Sequence, residues 1–179
     1  MQKEPPLWIF GYGSLIWRAD FPFVERAPAV INGYVRRFWQ GSSDHRGNPE
    51  YPGRVVTLLA APDHSCWGMA YRIAPGLSEE VLEHLDYREK GGYDRLEIEV
   101  GIGDGKYPGL TYFATPDNPE YLGKSDLNEM VEQIMNAVGP SGTNIDYVLS
   151  LDEALTRLRV SDPHVSKIAS KLRSRLDQS

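Results

Sequence analysis

A chain of 179 residues is near the usual size of one domain and long enough to bury a sizeable core. Hydrophobic residues at 41% and charged residues at 25% describe a globular protein and exclude a disordered or fibrous one. The formal net charge of −6 supplies no basic footprint, so neither nucleic acid nor an anionic membrane surface is expected as a partner.

Short apolar or alternating runs bounded by Gly, Pro, Asp or Asn predict strands at Leu7–Phe10, Ala29–Phe38, Arg54–Ala61, Cys66–Ile73, Arg95–Gly101 and Leu110–Ala114. One helix interrupts them. Ser78 is its expected N-cap, Leu77 and Leu82 can form a hydrophobic staple, Val81, Leu82 and Leu85 make an apolar face, and the end falls near Asp86. The last third reads as helical. Ser125 can cap a helix whose apolar positions Leu127, Met130, Val131, Ile134 and Val138 recur at helical spacing until Gly139–Pro140 stops it. Asn144 can open a second helix bearing Ile145, Val148, Leu149, Leu155 and Leu158. The stretch "SDPHVSKIASKLRSRL" reads as a third, with Val165, Ile168, Ala169, Leu172 and Leu176 on one side. Lys167, Lys171, Arg173 and Arg175 form its basic surface, either a plain solvated face or a partner-binding one. Strands followed by helices predict a single α+β domain over residues 1–179, a mainly antiparallel sheet or small barrel with a helical C-terminal part.

Cys66 is the sole cysteine, which rules out an internal disulfide and fits a reducing compartment. No run approaches the ~20 apolar residues of a membrane span, and "MQKEPP" lacks the apolar core of a signal peptide, so a cytoplasmic location is expected.

Within "LWIFGYGSLIW", Gly11 and Gly13 break an apolar run where a strand ends. A dinucleotide fingerprint is excluded, because Ile16 stands where the third glycine of G-x-G-x-x-G belongs and "LIWRADFPF" predicts no helix to face a pyrophosphate. Two readings stay open: a glycine turn needed for packing, or a loop whose exposed N–H groups hold a small anion such as a carboxylate. His45, His64, His84 and His164 are scattered, with no Cys/His spacing for a metal, so neither a metal nor a cofactor is expected. No G-x-S-x-G elbow is present, and Cys66 within a strand reads as a small apolar filler rather than a nucleophile. His45 in "SDHRGN" is an acid–base candidate or a loop residue bonded for structure. What remains is acid–base chemistry by a carboxylate. Glu89 in "LDYREKGGY" follows a helix and precedes a glycine pair, although a surface salt bridge with Arg88 or Lys90 would explain it equally.

Taken together, "FGYGSLIW", "RRFWQGSSDHRG", "PGRVVTL", "WGMAYRI", "YREKGGY", "NPEYLG" and "GPSGTN" resemble the ChaC-like gamma-glutamylcyclotransferases, in that family's order and over about residues 7 to 147. The resemblance implies the gamma-glutamylcyclotransferase-like fold, a small mixed β-barrel with packed helices, and cleavage of glutathione into 5-oxoproline and cysteinylglycine. It implies no cofactor, and it leaves oligomeric state open. Glu89 matches the family's catalytic glutamate, and Tyr12, Gly13, Ser14 and Leu15 match its substrate loop. Arg46 and Arg54 lie in matching segments as candidates for substrate carboxylates, with Arg54 equally readable as a structural tie. Tyr121 matches a tyrosine that can hydrogen-bond the substrate, Tyr93 is a weaker candidate, and either also reads as a rim aromatic. Ser42 departs from members that carry an acidic residue near that position. For Glu89 to take up a proton near neutral pH, Arg88 and Lys90 are expected to point away from it, since either alongside would favour its charged form. Two other readings stay open: a cyclotransferase for another gamma-glutamyl amide, and a non-catalytic regulator associated with cation transport.

Overall fold

The computed structural model describes residues 5–89 and 92–179. Strands β1 (Trp8–Gly11), β2 (Glu25–Ser42), β3 (Gly53–Arg72), β4 (Asp94–Ile102) and β5 (Gly105–Phe113) close into a barrel in the order β1-β3-β2-β4-β5. The barrel is mixed. β1 runs parallel to β5, with Trp8 opposite Gly109, and antiparallel to β3, while β4 is antiparallel to both β5 and β2. Helix α1 (Ser78–Arg88) follows β3 in the chain, and α2 (Leu127–Asn136), α3 (Asn144–Arg157) and α4 (Pro163–Asp177) occupy the last third with the short strands β6 (Val138–Gly139) and β7 (Gly142–Thr143). The α+β class and the helical C-terminal part read from the sequence are therefore what the chain adopts. Among the described residues no helix is long and apolar enough to cross a membrane.

The chain divides into two compact units, each drawn from two segments: Met1–Val35 with Ala60–Phe113, and Arg36–Leu59 with Ala114–Ser179. The core of the first gathers Ile9, Phe21, Tyr71, Ile73, Val81, Leu85 and Tyr112, with Leu15 packed against it. Val81 and Leu85 are the buried stripe of α1, whose Glu79 and Glu80 suit the positive end of the helix dipole and whose Arg88 suits the negative end.

In the second unit, α2, α3 and α4 pack pairwise. Two buried arginines are tied in from the strands. Arg36 Nε donates to Asp162 Oδ2 at 2.8 Å, and Asp162 also caps α4 by accepting from the Val165 N–H. Arg54 is bracketed by Asn144, whose amide accepts from the Arg54 N–H at 2.7 Å and donates to its carbonyl at 2.8 Å. His164 Nε2 accepts from the Phe38 N–H at 2.9 Å, with the two rings stacked.

Several expected boundaries shift for identifiable reasons. Arg54–Ala61 and Cys66–Ile73 are one continuous strand, because Pro62, Asp63, His64 and Ser65, turn formers by type, stay extended and exposed, with Ser65 Oγ donating to Asn32 Oδ1 at 2.7 Å. The last barrel strand starts at Gly105 rather than Leu110, since Gly103 at φ 56 makes the tight turn from β4. Val138 is not on a helical face. It lies beyond the end of α2, 56% exposed, paired with Thr143 in the β6–β7 hairpin. The N-caps are Leu77, Asp126 and Thr143, each one position from the residue expected; Asn144, buried, spends its side chain on Arg54 instead. Leu176 is exposed, and the basic surface of α4 is answered by acids, Arg173 by Asp152 at 2.7 Å and Arg175 by Glu132 at 2.9 Å.

Candidate active site

The substrate-loop candidates lie where β1 ends. All four residues of β1 are buried, and Gly11 is held so tightly that a Cβ there would stand 2.5 Å from the Leu15 Cβ. From the facing strand, a Cβ on Gly68 would stand 2.1 Å from the Gly11 carbonyl oxygen. The chain then makes a 3-10 turn over Ser14–Ile16, with the Ile16 N–H donating to Gly13 O at 2.9 Å and the Arg18 N–H to Ser14 O at 2.8 Å. The first N–H groups of such a turn have no acceptor within it.

Tyrosines hold this loop. Tyr12 is buried and its hydroxyl donates to the Tyr112 carbonyl at 2.6 Å, so its side chain serves the framework. The Tyr71 hydroxyl donates to the Leu15 carbonyl, and Thr111 Oγ1 donates to the Phe10 carbonyl at 2.8 Å. Tyr112 in turn donates through its hydroxyl to Asp86 Oδ1 at 2.7 Å, and Arg95 donates to the same carboxylate. Burial, followed by the Asp86 carboxylate, pushes the Tyr112 phenol well above its ordinary range, so it stays a donor.

Glu89 is the residue that closes α1. Its N–H donates to the Leu85 carbonyl at 2.8 Å and its carbonyl accepts from the Tyr93 N–H at 3.2 Å, which fixes the backbone on both sides of a side chain 22% exposed. The expectation for its neighbours fails for Arg88, whose Nε stands 3.9 Å from Glu89 Oε1. Its other two nitrogens are engaged elsewhere, Nη1 donating to Asp20 Oδ1 at 2.8 Å and Nη2 to Ser14 Oγ at 2.9 Å. Lys90 is outside the described residues. The other oxygen of Asp20, Oδ2, stands 3.3 Å from His84 Nε2. Burial works to raise the Asp20 carboxyl, yet Arg88 and His84 together hold it below the usual carboxylate range. Ser14 and Glu89, singled out from separate motifs, thus meet at one guanidinium. Asp20, His84 and Tyr112 carried no motif, while Tyr71 and Arg88 lay within matching segments without being singled out.

The other candidates belong to the second unit. Arg46 donates through Nη1 to the Thr143 carbonyl at 3.1 Å, its guanidinium carbon lies 5.6 Å from the Tyr147 ring centre, and its N–H donates to Ser42 Oγ at 2.9 Å. Arg54 is 5% exposed and donates to Gln133 Oε1 at 2.7 Å and to the Phe38 carbonyl at 2.9 Å. Tyr121 is half-buried, bridged through its backbone to Gln40 and donating its N–H to the Asn118 carbonyl at 3.0 Å. His45 is exposed in its loop, Nδ1 3.3 Å from Ser141 Oγ, and Cys66 is buried in β3. Among the described residues no group of three His, Cys, Asp or Glu side chains is placed to hold a metal.

A family model described as ChaC-like protein matches residues 7–175. Gamma-glutamylcyclotransferase 2-3 of Arabidopsis thaliana is 44% identical, covering 97% of this chain and 92% of its own. Glutathione-specific gamma-glutamylcyclotransferase 1 of Danio rerio is 43% identical, with 93% and 88% covered. The crystal structure of a selenomethionine-labelled gamma-glutamyl cyclotransferase specific to glutathione, from yeast, superposes with a TM-score of 0.90 at 29% identity, over 96% of this chain and 97% of that one.

Proposed function

The chain belongs to the ChaC-like protein family, and from that premise we propose that it is a glutathione-specific gamma-glutamylcyclotransferase, with Glu89 as its proton shuttle. The substrate supplies its own nucleophile. The α-amino nitrogen of the glutamyl residue attacks the γ-carbonyl carbon and closes a five-membered ring. The amide bond to cysteine then breaks, giving 5-oxoproline and cysteinylglycine with no water consumed. The protein has to fold the substrate for attack, take a proton from the ammonium, steady the tetrahedral oxyanion and return a proton to the departing amine.

The observation that supports the residue assignments best is that one guanidinium donates to Ser14 of the loop at 2.9 Å and lies 3.9 Å from the Glu89 carboxylate, so loop and glutamate are neighbours. In this reading the amides of the Tyr12, Gly13, Ser14 and Leu15 loop receive the glutamyl carboxylate and the developing oxyanion, and the tyrosine hydrogen bonds keep them in place. Arg46 and Tyr121 carry over as further substrate contacts on the strength of their matching segments. Arg54, with donors already on Gln133 and Phe38, is assigned to holding its strand start. A cytoplasmic setting belongs to the proposal and is supported by the single cysteine of the sequence, which leaves no internal disulfide to form.

The test is release of 5-oxoproline from glutathione and from gamma-glutamylalanine in parallel. Glutathione is the expected substrate. Glu89→Gln should fold and bind but lose nearly all turnover, about 10²-fold or more, because an amide cannot accept the ammonium proton. A variant turning over at the parent rate would remove Glu89 from the mechanism.

A further inference from the structure

Arg88 is the last residue of α1, and Glu89 is the next residue of the chain. An arginine there has two carboxylates within reach. Guanidinium pairs most strongly with a carboxylate when two N–H groups can meet it side by side, so an arginine beside a catalytic glutamate tends to close onto it and occupy its lone pairs. Here the contest goes the other way. Asp20 accepts from Nη1 at 2.8 Å while Glu89 stands 3.9 Å from Nε, and Nη2 is spent on Ser14 Oγ at 2.9 Å. His84 stands 3.3 Å from Asp20 Oδ2, the oxygen that Arg88 Nη1 does not take.

We propose that Arg88 is a positioning residue of this site and Asp20 its anchor: the pair ties the Ser14 turn to the end of α1 while keeping the guanidinium from closing onto Glu89. The inference rests on the reading of Glu89 as the proton shuttle. It gives the two partners unequal roles. Loss of Arg88 slackens the loop but leaves the glutamate able to accept a proton. Loss of the Asp20 charge leaves Glu89 as the remaining carboxylate of the two that Arg88 pairs with, and tightening of that 3.9 Å contact into a close pair takes the base out of use.

A merely stabilising ion pair predicts something different. Asp20 is 40% exposed and Arg88 19% exposed, and ion pairs in such settings contribute little to stability, so a structural role would appear, if at all, in the melting temperature and not in kcat. Positioning shows in turnover, where a displacement of about 1 Å can cost up to ~10²-fold.

The experiment compares Asp20→Asn, Arg88→Met, the double variant, Asp20→Glu and Glu89→Gln by steady-state 5-oxoproline release, with melting temperatures measured alongside. D20N should lower kcat about tenfold or more with KM changed by less than about threefold. R88M should mainly raise KM. The double variant should recover from the D20N level to that of R88M, and D20E, which keeps the charge, should retain most of the activity. The proposal is overturned if D20N stays within about twofold of the parent kcat, or if the D20N and R88M costs multiply in the double variant. If E89Q is active, the reading of the site itself has failed; if E89Q is dead while D20N is normal, only the anchor has. Should D20N not fold, Ser14→Ala combined with R88M carries the test: shared KM costs support the tether, and independent costs overturn it.

Discussion

Tyr71 reaches the substrate loop with one hydroxyl, donating to the Leu15 carbonyl while its ring packs edge-on against Phe21 at 5.4 Å between centres. Tyr71→Phe keeps the ring and removes the donor, leaving a partly buried carbonyl unsatisfied at a cost of about 1 kcal/mol. The expected outcome is a raised KM for glutathione with kcat changed less, read by steady-state kinetics, and a small drop in the urea midpoint. An unchanged KM would mean that the loop keeps its shape without this bond. At this scale the local sequence marks Glu89 only as a carboxylate between a helix end and a glycine pair, and its proposed role comes from the family resemblance. It marks no role for Arg88, since its partners Asp20 and Ser14 lie 68 and 74 positions away, and no local pattern announces which carboxylate wins a guanidinium.

Helix α4 carries a titratable group built into its first turn. Burial, and next the charge of Arg37, lowers the pKa of His164 from its ordinary 6.5 to about 4, consistent with a ring nitrogen that accepts from the Phe38 N–H and so must be neutral. Asp162 alone among its charged neighbours pulls the other way, against Arg36, Arg37 and Lys167. Below pH 6.5 the unfolded chain takes up a proton that the folded one refuses until about pH 4, so this contribution is complete above 6.5 and is lost as the pH falls through that window. The loss should be on the order of 3 kcal/mol. Urea midpoints from pH 7 to 4 should therefore fall more steeply in the parent than in His164→Gln; equal slopes would refute the assignment. Elements with a repeated apolar face were readable from sequence, as Met130, Val131 and Ile134 on α2 show. Their ends were not, because caps are decided by single hydrogen bonds such as Asp126 accepting from the Glu129 N–H. Strand limits were the least readable, since Pro62 through Ser65 stay extended in β3 for tertiary reasons.

Across the molecule, the order of strands followed by helices conceals how the chain is used. Residues 36–59 belong with the helical unit although they lie in strand-rich sequence, and they bring Arg36 and Arg54 with them, 2% and 5% exposed. A sequence reading places charges at the surface, and their burial is made tolerable by partners that include Asp162 and Gln133, supplied from the last third of the chain. The first unit makes a comparable demand without any charge. Gly68 has no chemistry to perform, yet a Cβ there would meet the Gly11 carbonyl oxygen at 2.1 Å and the Phe10 ring at 3.0 Å. Gly68→Ala should displace the strand end that launches the Tyr12–Leu15 loop, at a cost of about 1–3 kcal/mol, and be seen as reduced soluble yield and a lowered melting temperature. In a survey of tolerated substitutions scored by cellular glutathione turnover, Gly68 should look as intolerant as Glu89. The quantity of folded protein separates them, kept by one loss and forfeited by the other.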